Sequence, residues 1–372
     1  MNVVVIGAGV AGLAIGWRLR QAGAEVTVLD RAQPGRGATW AAAGMIAATA
    51  EAGDAQTPEA ALAYRARAMW PDFARAIEEA SGLAIGYAQN GSLMVATSEA
   101  EAAHQGARAG RDAELSVLTA GEARAMEPLL AGPLFGALWA PKEAQVDNRA
   151  LGDALARAFK RAGGTLAVNE AVVRIEVHAG RAVGVRTPFG VYGGDAFVLA
   201  AGAWSGLIDG LPDAAIPPVK PMKGEMLALT PPASVAVPRH VVWGNEVYLV
   251  PRGHRLLIGA TLEDKGFDTT LTDAAEDWLS SHALALIPGL RDWTIDEHWS
   301  GLRPSSPDGL PILGQSALPG LFIASGQHRN GILFAPAVAE TLVRSVLEQG
   351  QEQQPFDPRR FAGPLAPPPA LR

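Results

Sequence analysis

The 372-residue chain contains no cysteine. That absence excludes disulfides, thiolate metal sites, a cysteine nucleophile and any cofactor tethered through a cysteine sulfur. An intracellular protein needs no cysteine, and a cytoplasmic location is expected. Basic residues are also in deficit: 31 Lys and Arg face 38 Asp and Glu, a net charge of −7. A nucleic-acid partner, which would want a basic face, is therefore not expected. No apolar run approaches the roughly 18 uncharged residues of a membrane span, so no membrane partner is expected either. The apolar opening MNVVVIGAGVAGLAIG lacks a basic leader. It reads as a strand and turn, not as a signal peptide. The seven histidines show no ligand spacing, and no metal is expected. What the chain does have is apolar material, 48% of residues, too much for disorder. Its length suits two domains or one domain with a large insertion.

Residues 3–6 (VVVI) read as a short buried strand. Glycines 7, 9 and 12 follow, then a helix to about Gln21 closed by Gly23, then a strand from Glu25 to Leu29 ending at Asp30. Strand patterns recur at 91–96, 170–177, 183–187, 225–229, 247–250 and 255–260, and read as an antiparallel sheet. Helical patterns return at 149–162 and 336–348. Strands at 196–200 and 321–324 lead into small-residue turns. Nucleotide-type elements thus stand at the start, middle and end. The expected fold class is α/β, α+β overall: a discontinuous Rossmann-like cofactor domain (1–85, 146–215, 300–361) and an antiparallel-sheet substrate domain (86–145, 216–299). The Pro-rich stretch 362–372 is expected to be a loose tail.

GAGVAG at 7–12 matches G-x-G-x-x-G between a strand and a helix, with an acid, Asp30, 18 residues past the third glycine. Gly7 permits the tight turn, Gly9 lets backbone approach a pyrophosphate, and Gly12 lets the helix pack on the strand. The helix N-terminus faces the anion. Asp30 would accept bonds from a ribose diol. The motif alone does not separate NAD from FAD. Residues 35–51, GRGATWAAAGMIAATAE, are small and weakly polar, and such a run allows backbone to lie against a large planar ring.

The stretches GAGVAGLAIGWRL, ATWAAAGMIAATAE, FVLAAGAWSG, VKPMKGEML, VYLVPR, LLIGATLE, GLRPSSPDGLPILG and GQHRNGILFAPA extend from the N-terminus to about residue 340. Together they resemble the D-amino-acid oxidase superfamily of flavoproteins, and within it the glycine oxidases of the thiamine-biosynthesis type. The resemblance implies non-covalent FAD, since the chain has no cysteine and no histidine before His104. It places the dinucleotide on Gly7, Gly9, Val10, Ala11, Gly12, Asp30, Arg31, Thr39, Val172 and Gly202. It sets the flavin ring against Ala43, Gly44 and Met45 and against Gln327, His328, Arg329, Asn330, Gly331, Ile332 and Leu333. Gly331 to Leu333 lead into the helical pattern, so amide groups and a positive dipole end would meet reduced flavin.

The substrate side rests on Arg303, Tyr248 and Arg329. Arg303 lies among apolar and small residues, where a cation needs a partner. That partner is either a substrate carboxylate or a structural acid such as Asp308. Tyr248 alone would read as strand packing, and Arg329 as a loop arginine. The resemblance assigns all three to substrate; Glu246 and Leu262 are candidate substrate contacts beside them, and Lys223, which matches a family lysine, is read as structural packing. The sequence departs from the family pattern at Trp40, Glu246, Leu262, Gln327 and His328. If Glu246 reaches the pocket it would favour a cationic or larger amine; otherwise it is a solvated strand-end acid. The implied activity is hydride loss from the Cα of a small amino acid, glycine first, to flavin N5. The imine would yield an oxo acid and ammonia, and oxygen would take the electrons as H2O2. Sarcosine or other N-alkyl amines, D-amino acids, a non-oxygen acceptor and a flavin-binding scaffold without turnover stay open. A homotetramer is the implied assembly.

Overall fold

The computed structural model describes residues 1–52, 57–244, 246–348 and 355–362. The expected tail lies, from 363 onward, outside the described residues. A six-stranded sheet runs in the order Ile312–Gln315, Leu321–Ser325, Ala196–Leu199, Asn2–Ile6, Glu25–Asp30, Thr165–Val168. Its neighbours are parallel except for the antiparallel edge strand Ile312–Gln315. Alternation along a strand sends successive side chains to opposite faces. Val3 and Val5 therefore join the helices Val10–Gln21, Pro58–Ser81, Asn148–Arg161 and Gly331–Glu348 in one apolar core. Val4 and Ile6 pack on the other face with Ile175, Ala182 and Val185. Those three belong to a separate antiparallel sheet of Arg174–His178, Arg181–Thr187 and Gly190–Gly193.

A larger sheet has eight strands in the order Thr294–Ser305, Lys220–Thr230, Arg255–Gly259, Tyr248–Arg252, Val241–Trp243, Ser92–Ala96, Gly136–Ala140, Ser116–Leu118. It is antiparallel except where Val241–Trp243 runs parallel to Ser92–Ala96. Leu227, Leu249, Leu256 and Ile258 face one core with Leu279 and Ala283 of helix Asp273–Leu286. Met226, Ala228, Val250 and Leu257 face the other way, against Ala41, Ala43 and Trp299. This second face, turned toward the glycine-rich loop, carries the site.

Three expectations need correction, and one long helix had none. The strands expected at 170–177 and 183–187 are not part of the large sheet; they form the small sheet, and 170–173 is loop. The boundary set at 300 falls inside strand Thr294–Ser305, so residues 300–305, with Arg303, belong to the large sheet. The last helix begins at Gly331, not near Pro336, because the proline is accommodated within the helix's early turns. Helix Pro58–Ser81 was not read at all, although Thr57 caps the Ala60 amide, Pro58 stands first, and Gly82 ends it in the left-handed region. The segment His328–Glu348 is long and apolar enough to cross a membrane, yet most of it is buried within the protein. It packs as a core helix.

Candidate active site

A cavity of about 730 Å³ lies between the two large sheets, within the roughly 300–1,000 Å³ of ligand pockets. It is lined by Gly7, Gly9, Val10, Ala11, Asp30, Arg31, Thr39, Ala43, Gly44, Met45, Val172 and Gly202. It is lined as well by Glu246, Tyr248, Leu262, Arg303 and every residue from Gln327 to Ile332. The opening glycine turn and the Arg-Asn-Gly turn therefore share one cavity. Gly12 and Leu333 do not line it. A Cβ on Gly12 would stand 1.9 Å from the Gly7 carbonyl oxygen, so its absence serves helix-to-turn packing. Leu333 is in the core, its carbonyl accepting the Trp70 indole N–H at 3.0 Å. Trp40 also stays out of the cavity, under the Arg149 guanidinium 3.8 Å from its ring.

The glycine turn is tight for a stated reason. Gly7 has φ +107°, and a Cβ there would lie 2.4 Å from the Ala200 carbonyl oxygen. The Val10 amide donates to Thr39 Oγ1 at 2.9 Å. Asp30 accepts the Ala8 amide at 2.6 Å and the Ala32 amide at 2.8 Å. Burial pushes the Asp30 carboxyl up, while these amides and Arg31 oppose the rise. Asp30 thus holds the turn as well as facing the cavity. Arg31 stacks 3.6 Å over the Trp204 ring. Glu170, unread in the sequence, lines the same region with a buried Oε2 that has no protein partner.

The small-residue loop is pinned from outside the cavity. Asn148 Nδ2 donates to the Thr39 and Trp40 carbonyls at 2.8 and 2.9 Å. The Trp299 indole donates to the Ala41 carbonyl at 3.0 Å, and Arg252 Nη2 to the Ala43 carbonyl at 2.6 Å. The Val146 amide donates to the Gly44 carbonyl at 2.8 Å. Gly44 has φ +76°, and a Cβ would lie 2.0 Å from the Val146 carbonyl oxygen. Asn148 and Arg252 escaped the sequence reading, although Arg252 ends the quoted VYLVPR.

Arg303 comes from the edge strand of the large sheet. Its Nη1 donates to the Thr261 carbonyl at 3.1 Å and the Lys223 carbonyl at 3.4 Å. Among the described residues no carboxylate lies within ion-pair distance of it; Asp308, the structural candidate, pairs with Arg360 at 2.8 Å. Two strand glycines make the room. A Cβ on Gly224 would lie 2.1 Å from Arg303 Nη1, and one on Gly259 2.3 Å from the Tyr248 ring. Tyr248 has its phenol pushed up, by burial first and against the Arg303 charge. Lys223 is buried outside the cavity, paired with Glu225 at 2.7 Å. Glu246 lines the cavity but is exposed, and Leu262 is 51% exposed beside it.

Arg329 is not a free clamp: its Nε pairs with Glu51. Glu51, on the short helix Ala48–Ala52, lines the cavity with its side chain 7% exposed. The sequence reading missed it, although it ends the quoted small-residue stretch. Asn330 Nδ2 donates to Glu59 Oε1 at 3.0 Å. His328, at φ +47°, has its imidazole pushed down to about 4, by burial first and then by Arg303 and Arg329.

These features fit a flavin dinucleotide. A left-handed glycine turn meets a helix N-terminus, an acid follows, and a pinned loop opens backbone to the cavity. The buried Gln327 Nε2 and Trp243 Nε1 atoms belong to residues that line it and have no hydrogen-bond partner among the described residues, as donors suited to ligand acceptors. Fold and site define a flavin-binding oxidoreductase of the two-sheet type. The family model described as FAD dependent oxidoreductase (DAO) matches residues 2–345, and the chain belongs to that family. A glycine oxidase of Geobacillus kaustophilus is 34% identical over 97% of each chain. The crystal structure of glycine oxidase from that organism superposes with a TM-score of 0.89, covering 95% of this chain and 97% of that one. The bifunctional protein ThiO/ThiG of Nostoc sp. is 37% identical over 94% of this chain but 53% of its own. The chain spans about half the length of those first bifunctional relatives. An iminodiacetate oxidase from Chelativorans sp. is 30% identical with a TM-score of 0.85, covering 96% of this chain and 98% of that one.

Proposed function

We propose that this protein oxidises the amine of a small amino acid, glycine first, to an imine that hydrolyses to an oxo acid and ammonia. The observation that carries the reading is Arg303: a guanidinium in the cavity, placed by Gly224 and two carbonyls, with no carboxylate within ion-pair distance among the described residues. A fork of donors of this kind suits a substrate carboxylate. The Tyr248 hydroxyl, kept protonated by burial, adds a donor to the same group. When bound, FAD supplies the two-electron acceptor for a C–H bond next to nitrogen. The protein's share is orientation: with the carboxylate held, the amine-bearing carbon has one place to sit. Gln327 Nε2, Trp243 Nε1, the loop from Thr39 to Met45 and the start of helix Gly331–Glu348 would hold the flavin; the glycine turn, Thr39, Asp30 and Glu170 would hold the rest.

The likeness to an iminodiacetate oxidase favours a carboxylated secondary amine as the runner-up substrate. Oxygen as acceptor, a cytoplasmic location and a homotetramer belong to the same proposal. The test is a visible spectrum of the purified holoenzyme before and after anaerobic glycine. A flavin spectrum that bleaches, and returns in air with peroxide, is expected. No bleaching by glycine, sarcosine, iminodiacetate or D-amino acids would sink the reading. Bleaching followed by slow return in air would instead show a different acceptor.

A further inference from the structure

We propose that Glu51 receives the ammonium group of the substrate and takes its proton, leaving the neutral amine that oxidation requires. The proposal rests on the amine-oxidation reading above. An amino acid arrives as a carboxylate and an ammonium. Arg303 and Tyr248 answer the first; the second needs an anion close by. Of the carboxylates lining the cavity, Asp30 is tied to the glycine turn, Glu170 stands beside it, and Glu246 is exposed. Glu51 is buried and within electrostatic reach of both Arg303 and Tyr248.

The neighbours on every side are accounted for. Arg329 faces Glu51 from the turn before the last helix, where His328 precedes it, and Arg303 acts from the large sheet. Tyr248 comes from the adjacent strand. Glu59 stands on helix Pro58–Ser81, and Glu143 acts from beyond Thr49, where Arg67 also reaches. The alternatives to Glu51 are poor acceptors. The His328 imidazole is pushed down to about 4, and the Tyr248 phenol stays protonated. Burial raises the Glu51 carboxyl, while Arg329 and Arg303 oppose the rise. A substrate carboxylate on Arg303 cancels part of that opposition. The step is a proton transfer: an N–H bond of the ammonium breaks, nitrogen keeps the electron pair, and Glu51 becomes a carboxylic acid.

The experiment is anaerobic flavin reduction by glycine, followed across neutral and alkaline pH in wild-type, Glu51→Gln and Glu51→Asp holoenzymes. Glu51→Gln should slow reduction about 100-fold at neutral pH, the lower end of what a positioned proton acceptor contributes. The deficit should shrink as pH rises and free glycine loses its own proton. Glu51→Asp should keep the wild-type shape of the pH profile at a lower rate. Acetate, which has no amine, should perturb the flavin spectrum of Glu51→Gln at least as tightly as in wild type. A wild-type profile in Glu51→Gln, or an equal loss at every pH together with lost acetate binding, overturns the proposal. If no amine reduces the wild-type flavin, the functional reading fails first and takes this one with it. Reduction of wild type with an indifferent Glu51→Gln defeats only the role of Glu51.

Discussion

Gly224→Ala tests the proposed carboxylate clamp at Arg303 without substituting the arginine. The added Cβ would stand 2.1, 2.4 and 2.5 Å from Nη1, Nη2 and Cζ of Arg303. Carbon and nitrogen in contact need well over 3 Å, so the guanidinium must retreat by about 1 Å, a displacement able to cost around 100-fold in rate. Gly224 does not sit in the left-handed region, and the obstructing atoms end a flexible side chain. The strand should therefore form as before, with thermal stability nearly unchanged. A hydrogen bond to a charged group is worth about 1.5–3 kcal/mol. At about 1.36 kcal/mol per tenfold, losing one such contact lowers kcat/KM about 10- to 150-fold. The loss should appear mainly in KM for glycine and in acetate affinity, while FAD content and melting temperature stay at wild-type values. Steady-state kinetics, a spectral titration with acetate and a thermal melt read all three. Wild-type KM and acetate affinity in a folded, FAD-loaded Gly224→Ala protein would refute the placement of Arg303 on the substrate.

Two further outcomes follow from the same geometry. Arg252→Ala removes the donors to the Ala43 carbonyl and to Asn148 Oδ1; leaving a buried carbonyl without its donor costs about 1–3 kcal/mol, so FAD should bind about tenfold more weakly, measured by flavin fluorescence. Unchanged FAD affinity would show that the loop holds its shape without Arg252. Glu143 is buried, its carboxyl pushed up to about 7 by desolvation, against an ordinary 4.5. Because the folded state then holds the proton more tightly, this stabilisation is complete below about pH 4.5 and lost by about pH 7. Glu143→Gln carries no such charge, so its melting temperature should gain on wild type as pH rises through that window. A difference that does not vary with pH would contradict the burial of an ionisable Glu143.

Much of the site was legible because its signals are local. A glycine turn needs its own backbone freedom, and the spacing of Gly7, Gly9, Gly12 and Asp30 is written within one βαβ unit. The strands on either side announced themselves by short apolar runs. Arg303 and Tyr248 were legible only through the stretches around them, since a lone arginine or strand tyrosine has bland readings. Helix Pro58–Ser81 is harder to read, because its buried face is Ala-rich and Pro71 lies inside it.

What the sequence alone determined is the binding of a dinucleotide at the amino-terminal strand and the class of fold that carries it, since both depend on residues close together in the chain. Tertiary structure decided how the cavity's side chains are paired and placed. Only folding brings Glu51 against Arg329, puts Gly224 beneath the Arg303 guanidinium, gives Asp308 to Arg360, and hangs the Ala43 carbonyl on Arg252. Ion pairs and close contacts act through space over a few ångströms, and sheet registry between distant strands sets those distances. No local pattern of residues encodes them.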